Sequence, residues 1–241
     1  MSKKYSFVLS DRLRAIYNMI PNGRILCDVG TDHGFLPISL VLDEKIEGAI
    51  AMDLREGPLS RAKEHVSSYG LDSKIQIRLS DGLEKIEIGE CTMVSICGMG
   101  GRNMTEILTK RMDVAKDVEC MLLQPQSDIP DFRRFLYDNG FVISDEDCIF
   151  EDGKYYFLML VRKSDSNQSL SDIEAEFGPV LLGKKNETLK EFIKKESRSN
   201  QNVLSNLKNA VDNERNRESL KKQEKYRDLL LEARDILGIN L

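Results

Sequence analysis

After a short polar lead, apolar residues recur at helical spacing. Leu13, Ile16, Tyr17 and Ile20 share one face of a segment spanning 10–20, and Ser10 stands where an N-cap belongs. Pro21-Asn22-Gly23 supplies the turn that ends it. The pattern then changes period. Strand-length apolar runs fall at 24–29, at 48–53, in KIQIRLSDG ending at Ser80, at 92–97 and at 118–124. Between them lie helical segments at 35–44, 55–69, 102–112 and 128–138. In the 55–69 segment Leu59, Ala62 and Val66 point inward, and Gly70 is the stop. Strands alternating with helices predict a parallel sheet covered on both faces. The alternation closes differently: FVISDEDCIFEDGKYYFLMLVRK holds two strand-like runs joined through Asp152-Gly153, a hairpin signal. The sheet is therefore expected to be mostly parallel, with an antiparallel hairpin at its end.

Near Ser164 the character changes again. SDSNQSLSD is polar, with Gln168 and Ser169 reading as linker, and the remainder is helical and highly charged. Leu189, Ile193, Val203, Leu207 and Ala210 form one apolar series, interrupted at Glu196 and Asn200; Leu220, Tyr226, Leu230, Ala233 and Leu237 form a second. Steps of three and four predict a coiled-coil seam. Asp212-Asn213 is a tight link, so the two helices should fold back as a hairpin, the first about 39 Å long at ~1.5 Å per residue. The expected division is 1–163 for the α/β domain and 164–241 for the helical one.

Composition narrows the class. At 241 residues and 41% hydrophobic, the chain can bury an ordinary core. A net charge of −5 argues against a protein that is basic all over, but not against a local basic patch. The five cysteines, Cys27, Cys91, Cys97, Cys120 and Cys148, contain no CxxC, so buried reduced thiols are expected rather than a metal site. The N-terminus lacks an apolar signal core, and no apolar run approaches membrane length, so a cytoplasmic protein is expected.

The chemistry concentrates where strands end. ILCDVGTDHGFLP runs a strand into Asp28, Gly30, Thr31, Asp32, His33 and Gly34, then into a helix. Ligands of doubly wound sheets bind at such carboxyl ends. The spacing is not GxGxxG, and the turn is acidic, so a pyrophosphate would meet Asp28 and Asp32 at unfavourable range. An ammonium and a sulfonium would be attracted instead. S-adenosylmethionine carries both, with a carboxylate suited to a helix N-terminus. Asp53, followed by Leu54, ends the second strand, where an acid accepts from ribose hydroxyls. Asp81-Gly82 follows the third, placed for an adenine amino group. Each acid also has a plainer role open to it, capping the next helix or making a turn. The fourth strand runs into Gly98-Met99-Gly100-Gly101-Arg102, an open backbone beside which a flat base fits, or a flexible loop before a helix. Gln124 and Pro125 close the fifth strand, where Gln124 is a candidate for a base edge. Amino-group methyltransferases often carry Asn/Asp-Pro-Pro-aromatic after strand four, and that motif is absent. A ring nitrogen such as adenine N1 already offers a lone pair and needs alignment more than a strong base. Asp32 is the first candidate to stabilise the developing charge or take a proton, and His33 the second.

DVGTDHGFLP, MDLREGPL, SDGL, ICGMGGRNM and LQPQ, in this order, resemble the bacterial tRNA adenine N1-methyltransferase family that modifies position 22 of tRNA. The resemblance covers 9–163 closely and implies a Rossmann-like class I methyltransferase domain followed by a coiled-coil domain. It also implies S-adenosylmethionine as donor and tRNA as substrate. Asp28, Gly30, Asp32, His33 and Gly34 match the family's first cofactor motif, Asp53 its ribose acid, Asp81-Gly82 its adenine contact, and Gly98 to Gly101 the loop near the donor methyl. Residues 184–227 carry 13 Lys/Arg against 7 Asp/Glu. Lys184, Lys185, Lys190, Lys194, Lys195, Arg198, Lys221, Lys222 and Lys225 are candidate grips for tRNA phosphates. A solvated or dimerising helical face is the plainer alternative for them. For the whole chain the alternatives are a non-catalytic RNA-binding protein on a methyltransferase fold, and a small-molecule methyltransferase.

Overall fold

The computed structural model describes residues 7–165, 169–211 and 213–239. Gln168 and Asp212, read above as linker and helix link, lie outside the described residues. The chain divides into two compact units, Met1–Ser169 and Leu170–Leu241.

In the first unit the strands are β1 (Ile25–Val29), β2 (Gly48–Asp53), β3 (Ile75–Leu79), β4 (Met93–Met99), β5 (Cys120–Pro125), β6 (Phe141–Glu151) and β7 (Lys154–Lys163). They form one sheet in the order β3-β2-β1-β4-β5-β7-β6. β1 pairs in parallel with both β2 and β4, placing Asp28 beside Ala51 and Ser95. From β1 the chain fills one side of the sheet through β2 and β3, then returns to start the other side with β4. That reversal leaves a crevice at the carboxyl ends of β1 and β4, where ligands of such sheets sit. Helices cover both faces, so the inner strands are apolar throughout: Leu26, Cys27 and Val29 of β1 and Met93, Val94 and Ile96 of β4 are all buried.

The helices are α1 (Asp11–Met19), α2 (Phe35–Leu42), α3 (Glu56–Ser68), α4 (Gly101–Lys110), α5 (Met112–Asp117) and α6 (Ile129–Asp138). Ser10 caps α1 by accepting from the Leu13 amide. The predicted 102–112 helix breaks at Arg111, whose φ of −130° and ψ of 51° separate α4 from the short α5. The closing hairpin is not simply appended. β7 inserts between β5 and β6 and runs antiparallel to both. On the α6 side, Arg133 and Glu146 are wholly buried, with Arg133 Nε and Nη2 3.2 and 3.1 Å from Glu146 Oε1. The guanidinium carbon lies over the Phe157 ring, 5.7 Å from its centroid.

The second unit holds α7 (Asp172–Phe177), α8 (Pro179–Lys184), α9 (Glu187–Lys208) and α10 (Glu214–Leu237). α7 opens with a complete capping box between Ser171 and Glu174, a signal the charge of the region hides. α9 and α10 pack against each other, but the expected seam needs correction. Leu189, Ile193, Asn200 and Leu204 are the buried positions of α9, whereas Val203 and Ala210 are exposed. Asn200 does not interrupt the seam but belongs to it. Its Nδ2 donates to Gln223 Oε1 at 2.7 Å and to the Gln223 carbonyl at 3.1 Å. A satisfied amide costs little to bury, so the stripe follows geometry rather than hydrophobicity and shifts by one residue beyond it. No helix among the described residues is long and apolar enough to cross a membrane.

Candidate active site

The turn after β1 is built by backbone constraints. Gly30 adopts φ +76°, and a Cβ there would lie 2.5 Å from Met99 Cε. Its amide and that of Thr31 donate to the Met52 carbonyl at 2.8 and 2.9 Å, tying the turn to β2. Gly34, also left-handed, starts α2. Asp32 takes the same region without being glycine, at φ +52°, a conformation short polar side chains tolerate best.

Asp28 lies beneath this turn, buried, and accepts from Ser95 Oγ at 2.6 Å. Burial pushes its carboxyl above the ordinary aspartate value, the hydrogen bond from Ser95 pulls it back, and the charge of Asp53 adds to the rise. Asp53 is buried as well, and its Oδ1 accepts from the Arg55 amide at 2.9 Å. Asp32 is exposed, with His33 Nε2 and Arg61 Nη2 each 3.7 Å from its oxygens. His33 stacks on Phe35 at 5.2 Å.

A cavity of about 610 Å³ opens over these strand ends, and Asp32, Asp53, Leu54, Asp81, Gly82, Gly98 and Met99 all line it. Of the residues expected around it, it therefore gathers most. A smaller adjoining cavity of about 110 Å³ is lined by Asp28, Thr31 and His33. Asp81 is not a free acceptor: Lys110 Nζ lies 3.0 Å from its Oδ2 and 3.3 Å from Glu84. Arg102 is largely exposed and pairs with Asp128 at 3.2 Å. Gly100 and Gly101 belong to the start of α4 rather than the cavity wall; a Cβ on Gly101 would lie 2.6 Å from the Ser127 carbonyl, so the two loops touch through backbone.

Gln124 and Pro125 need correction. Both are buried, and neither lines the cavity. Gln124 Oε1 accepts from Arg12 Nη1 at 3.1 Å, and its amide nitrogen is turned to the Pro125 carbonyl at 3.4 Å. The residue of that loop which does line the cavity is Gln126, whose backbone N–H donates to the Met99 carbonyl at 2.8 Å.

Two groups of lining residues escaped sequence reasoning. Asn103, Glu106, Ile107 and Lys110 occupy one face of α4, while Met104 and Leu108 on the opposite face are buried. The spacing of three and four was visible, but nothing said which face meets a ligand. Arg12 borders both cavities from α1, its guanidinium beside Gln124 and 5.5 Å from the Tyr156 ring centroid. It lies far from every motif in sequence and only the fold brings it there.

In the second unit the candidate basic residues are mostly exposed. Lys190, Lys194 and Lys225 are paired with Glu187, Glu191 and Asp172 at 2.6–2.8 Å. Lys184 ends α8, and Lys185 follows it in the left-handed region. Lys195, Arg198, Lys221 and Lys222 are exposed.

A family described as a methyltransferase domain matches residues 9–159. The tRNA (adenine(22)-N(1))-methyltransferase of Bacillus subtilis (strain 168) is 34% identical over 231 residues, spanning 94% of this chain and 97% of that protein. The chain belongs to the tRNA (adenine(22)-N(1))-methyltransferase family. Among solved relatives, the B. subtilis m1A22 tRNA methyltransferase TrmK superposes with a TM-score of 0.84 at 33% identity, covering 94% of this chain and 98% of that one. M. capricolum TrmK, solved in complex with the cofactor product S-adenosyl-homocysteine, superposes with a TM-score of 0.77 at 28% identity, covering 93% and 100%.

Proposed function

We propose that the protein transfers a methyl group from S-adenosylmethionine to N1 of adenine 22 in tRNA. The observation that carries this reading is the set of acids at the ends of β1, β2 and β3, around a cavity at the switch point of the sheet, in a chain of this family. Asp32 and Asp53 border the cavity, Asp28 lies beneath it, and backbone turns rather than a phosphate-binding GxGxxG loop frame it. These residues fit a ligand that is cationic at its centre. When bound, S-adenosylmethionine supplies an electrophilic methyl group on sulfur.

Each side chain then has a task. Asp53 is placed to accept from ribose hydroxyls, since its Oδ1 is fixed by the Arg55 amide and the carboxylate is held at the cavity wall. Asp28 ties β1 to β4 through Ser95 beneath the turn. Arg12, bordering both cavities, suits the carboxylate end of the cofactor. Asn103 and Gln126 offer amide groups to the edge of an entering adenine. N1 attack leaves the ring cationic, and Asp32 is the exposed carboxylate on hand to stabilise that charge or relay a proton. His33, turned toward the smaller cavity and stacked on Phe35, acts through Asp32. The basic surface of the second unit, a coiled-coil hairpin in this reading, supplies phosphate contacts elsewhere on the tRNA. The protein would work in the cytoplasm, where its substrate is.

Calorimetric titration tests the pocket. The wild-type protein should bind S-adenosylmethionine and give no heat with NAD, and Asp53→Asn should weaken cofactor binding about tenfold, the loss of charge-assisted ribose hydrogen bonds. NAD binding in preference to the sulfonium compound would contradict the reading.

A further inference from the structure

β6 and β7 continue past the end of the sheet they belong to. Antiparallel pairing sets Leu122 opposite Leu160 and Leu123 opposite Met159. Pro125, the last residue of β5, therefore stands level with Phe157. Tyr156, Tyr155 and Lys154 extend beyond it by about 10 Å at ~3.4 Å per residue. Because β6 and β5 are both antiparallel to β7, the hairpin tip rises at the carboxyl ends of β1 to β5, the rim that holds the cavity. β7 lies two strand positions from β4, about 10 Å at ~4.8 Å per step.

The two faces of this projection differ. Ile149 and Tyr156, cross-strand partners, pack into the core on the α1 side. Arg12 lies over the Tyr156 ring there, and its amide donates to Glu151 at 3.0 Å, so the base of the projection is held firmly. The other face, the one α6 covers lower down through Arg133 and Phe157, carries Phe150 and Tyr155. These two rings sit directly across the hairpin with centroids 4.7 Å apart, and Phe150 remains 52% exposed. Arg102, exposed at the start of α4, pairs with Asp128 at the start of α6.

We propose that the Phe150–Tyr155 pair is a stacking platform for an unpaired nucleobase of the tRNA substrate, one that flanks the adenine entering the cavity. The inference rests on the functional reading above. An adenine N1 inside a duplex is paired, so its methylation requires an unpaired or extruded base, and the neighbouring bases lose stacking partners. An aromatic face at the rim restores that stacking for any base, because every base has a π face. Asp152 and Lys154, charged and exposed, flank the pair at the hairpin tip.

The test is steady-state methyl transfer by the full chain to a tRNA transcript, with cofactor affinity measured in parallel. Phe150→Ala should raise KM for tRNA about 5- to 100-fold while kcat and the Kd for S-adenosylmethionine stay within about twofold. Phe150→Trp should restore the wild-type KM. Phe150→Leu, apolar but not flat, should not. Rescue by Leu equal to that by Trp, an Ala variant within twofold of wild type, or a parallel loss of cofactor affinity would each overturn the platform. Absence of methyl transfer by the wild-type chain would instead overturn the functional reading, and the platform with it.

Discussion

Asp28 sits at the junction of packing and chemistry. Its carboxyl is buried beneath the glycine turn, bonded to Ser95, and raised above the ordinary value of 3.8 chiefly by desolvation. A raised carboxyl binds its proton more tightly in the folded state than in the unfolded one. Its contribution to stability is therefore fully present below 3.8 and is lost as pH rises through the higher folded value. Asn at this position keeps an acceptor for Ser95 and removes the titration. Urea unfolding of wild type and Asp28→Asn across acid and neutral pH should show the Asn variant gaining relative to wild type as pH climbs from 3.8, then levelling. A difference that stays constant, or that moves toward wild type, would show that Asp28 is not held protonated-favoured in the fold. The acids at strand ends were legible in the sequence because strand termini can be read from apolar runs. Arg12 and the α4 face were not, because a residue's distance from a site in space has no trace in a single sequence. Gln124 was misplaced for a related reason: strand ends were known, but not which of two neighbouring glutamines turns outward.

At the scale of elements, period decided most of the architecture. Buried parallel strands leave unbroken apolar runs, and the helices between them show three-four spacing, so the α/β alternation and the Asp152-Gly153 hairpin were readable directly. The insertion of β7 between β5 and β6 was not, since pairing partners are chosen by tertiary contact. The seam of α9 shows the same limit: a polar Asn200 satisfied across the interface is invisible to a pattern based on hydrophobicity. Arg133 and Glu146 join α6 to β6 with no exposure to water. Arg133→Ala removes this buried counter-charge of Glu146 and should lower unfolding stability by about 3–5 kcal/mol. Arg133→Met with Glu146→Leu should recover most of it, as read by chemical denaturation. Full loss in the double variant would mean that the pair itself, and not merely its balance, stabilises the hairpin.

For the whole molecule, charge is unevenly divided. Residues 1–163 carry −5 net, while 184–227 carry +6. The acids at the strand ends suit a cationic donor, and the basic 184–227 stretch, in a unit that carries 14 Lys/Arg against 13 Asp/Glu over 170–241, is suited to a polyanionic acceptor. Deleting 170–241 should therefore weaken tRNA binding by tenfold or more at low salt, while calorimetric affinity for S-adenosylmethionine changes little. Equal loss of both would assign the second unit a folding role instead. The most direct measurement remains the product itself. Incubation with methyl-labelled S-adenosylmethionine and unmodified tRNA transcript, digestion, and chromatography under conditions that prevent rearrangement should place the label in N1-methyladenosine, with none in a transcript whose adenine 22 is replaced by guanine. Label in N6-methyladenosine, at another position, or in no nucleoside at all would contradict it.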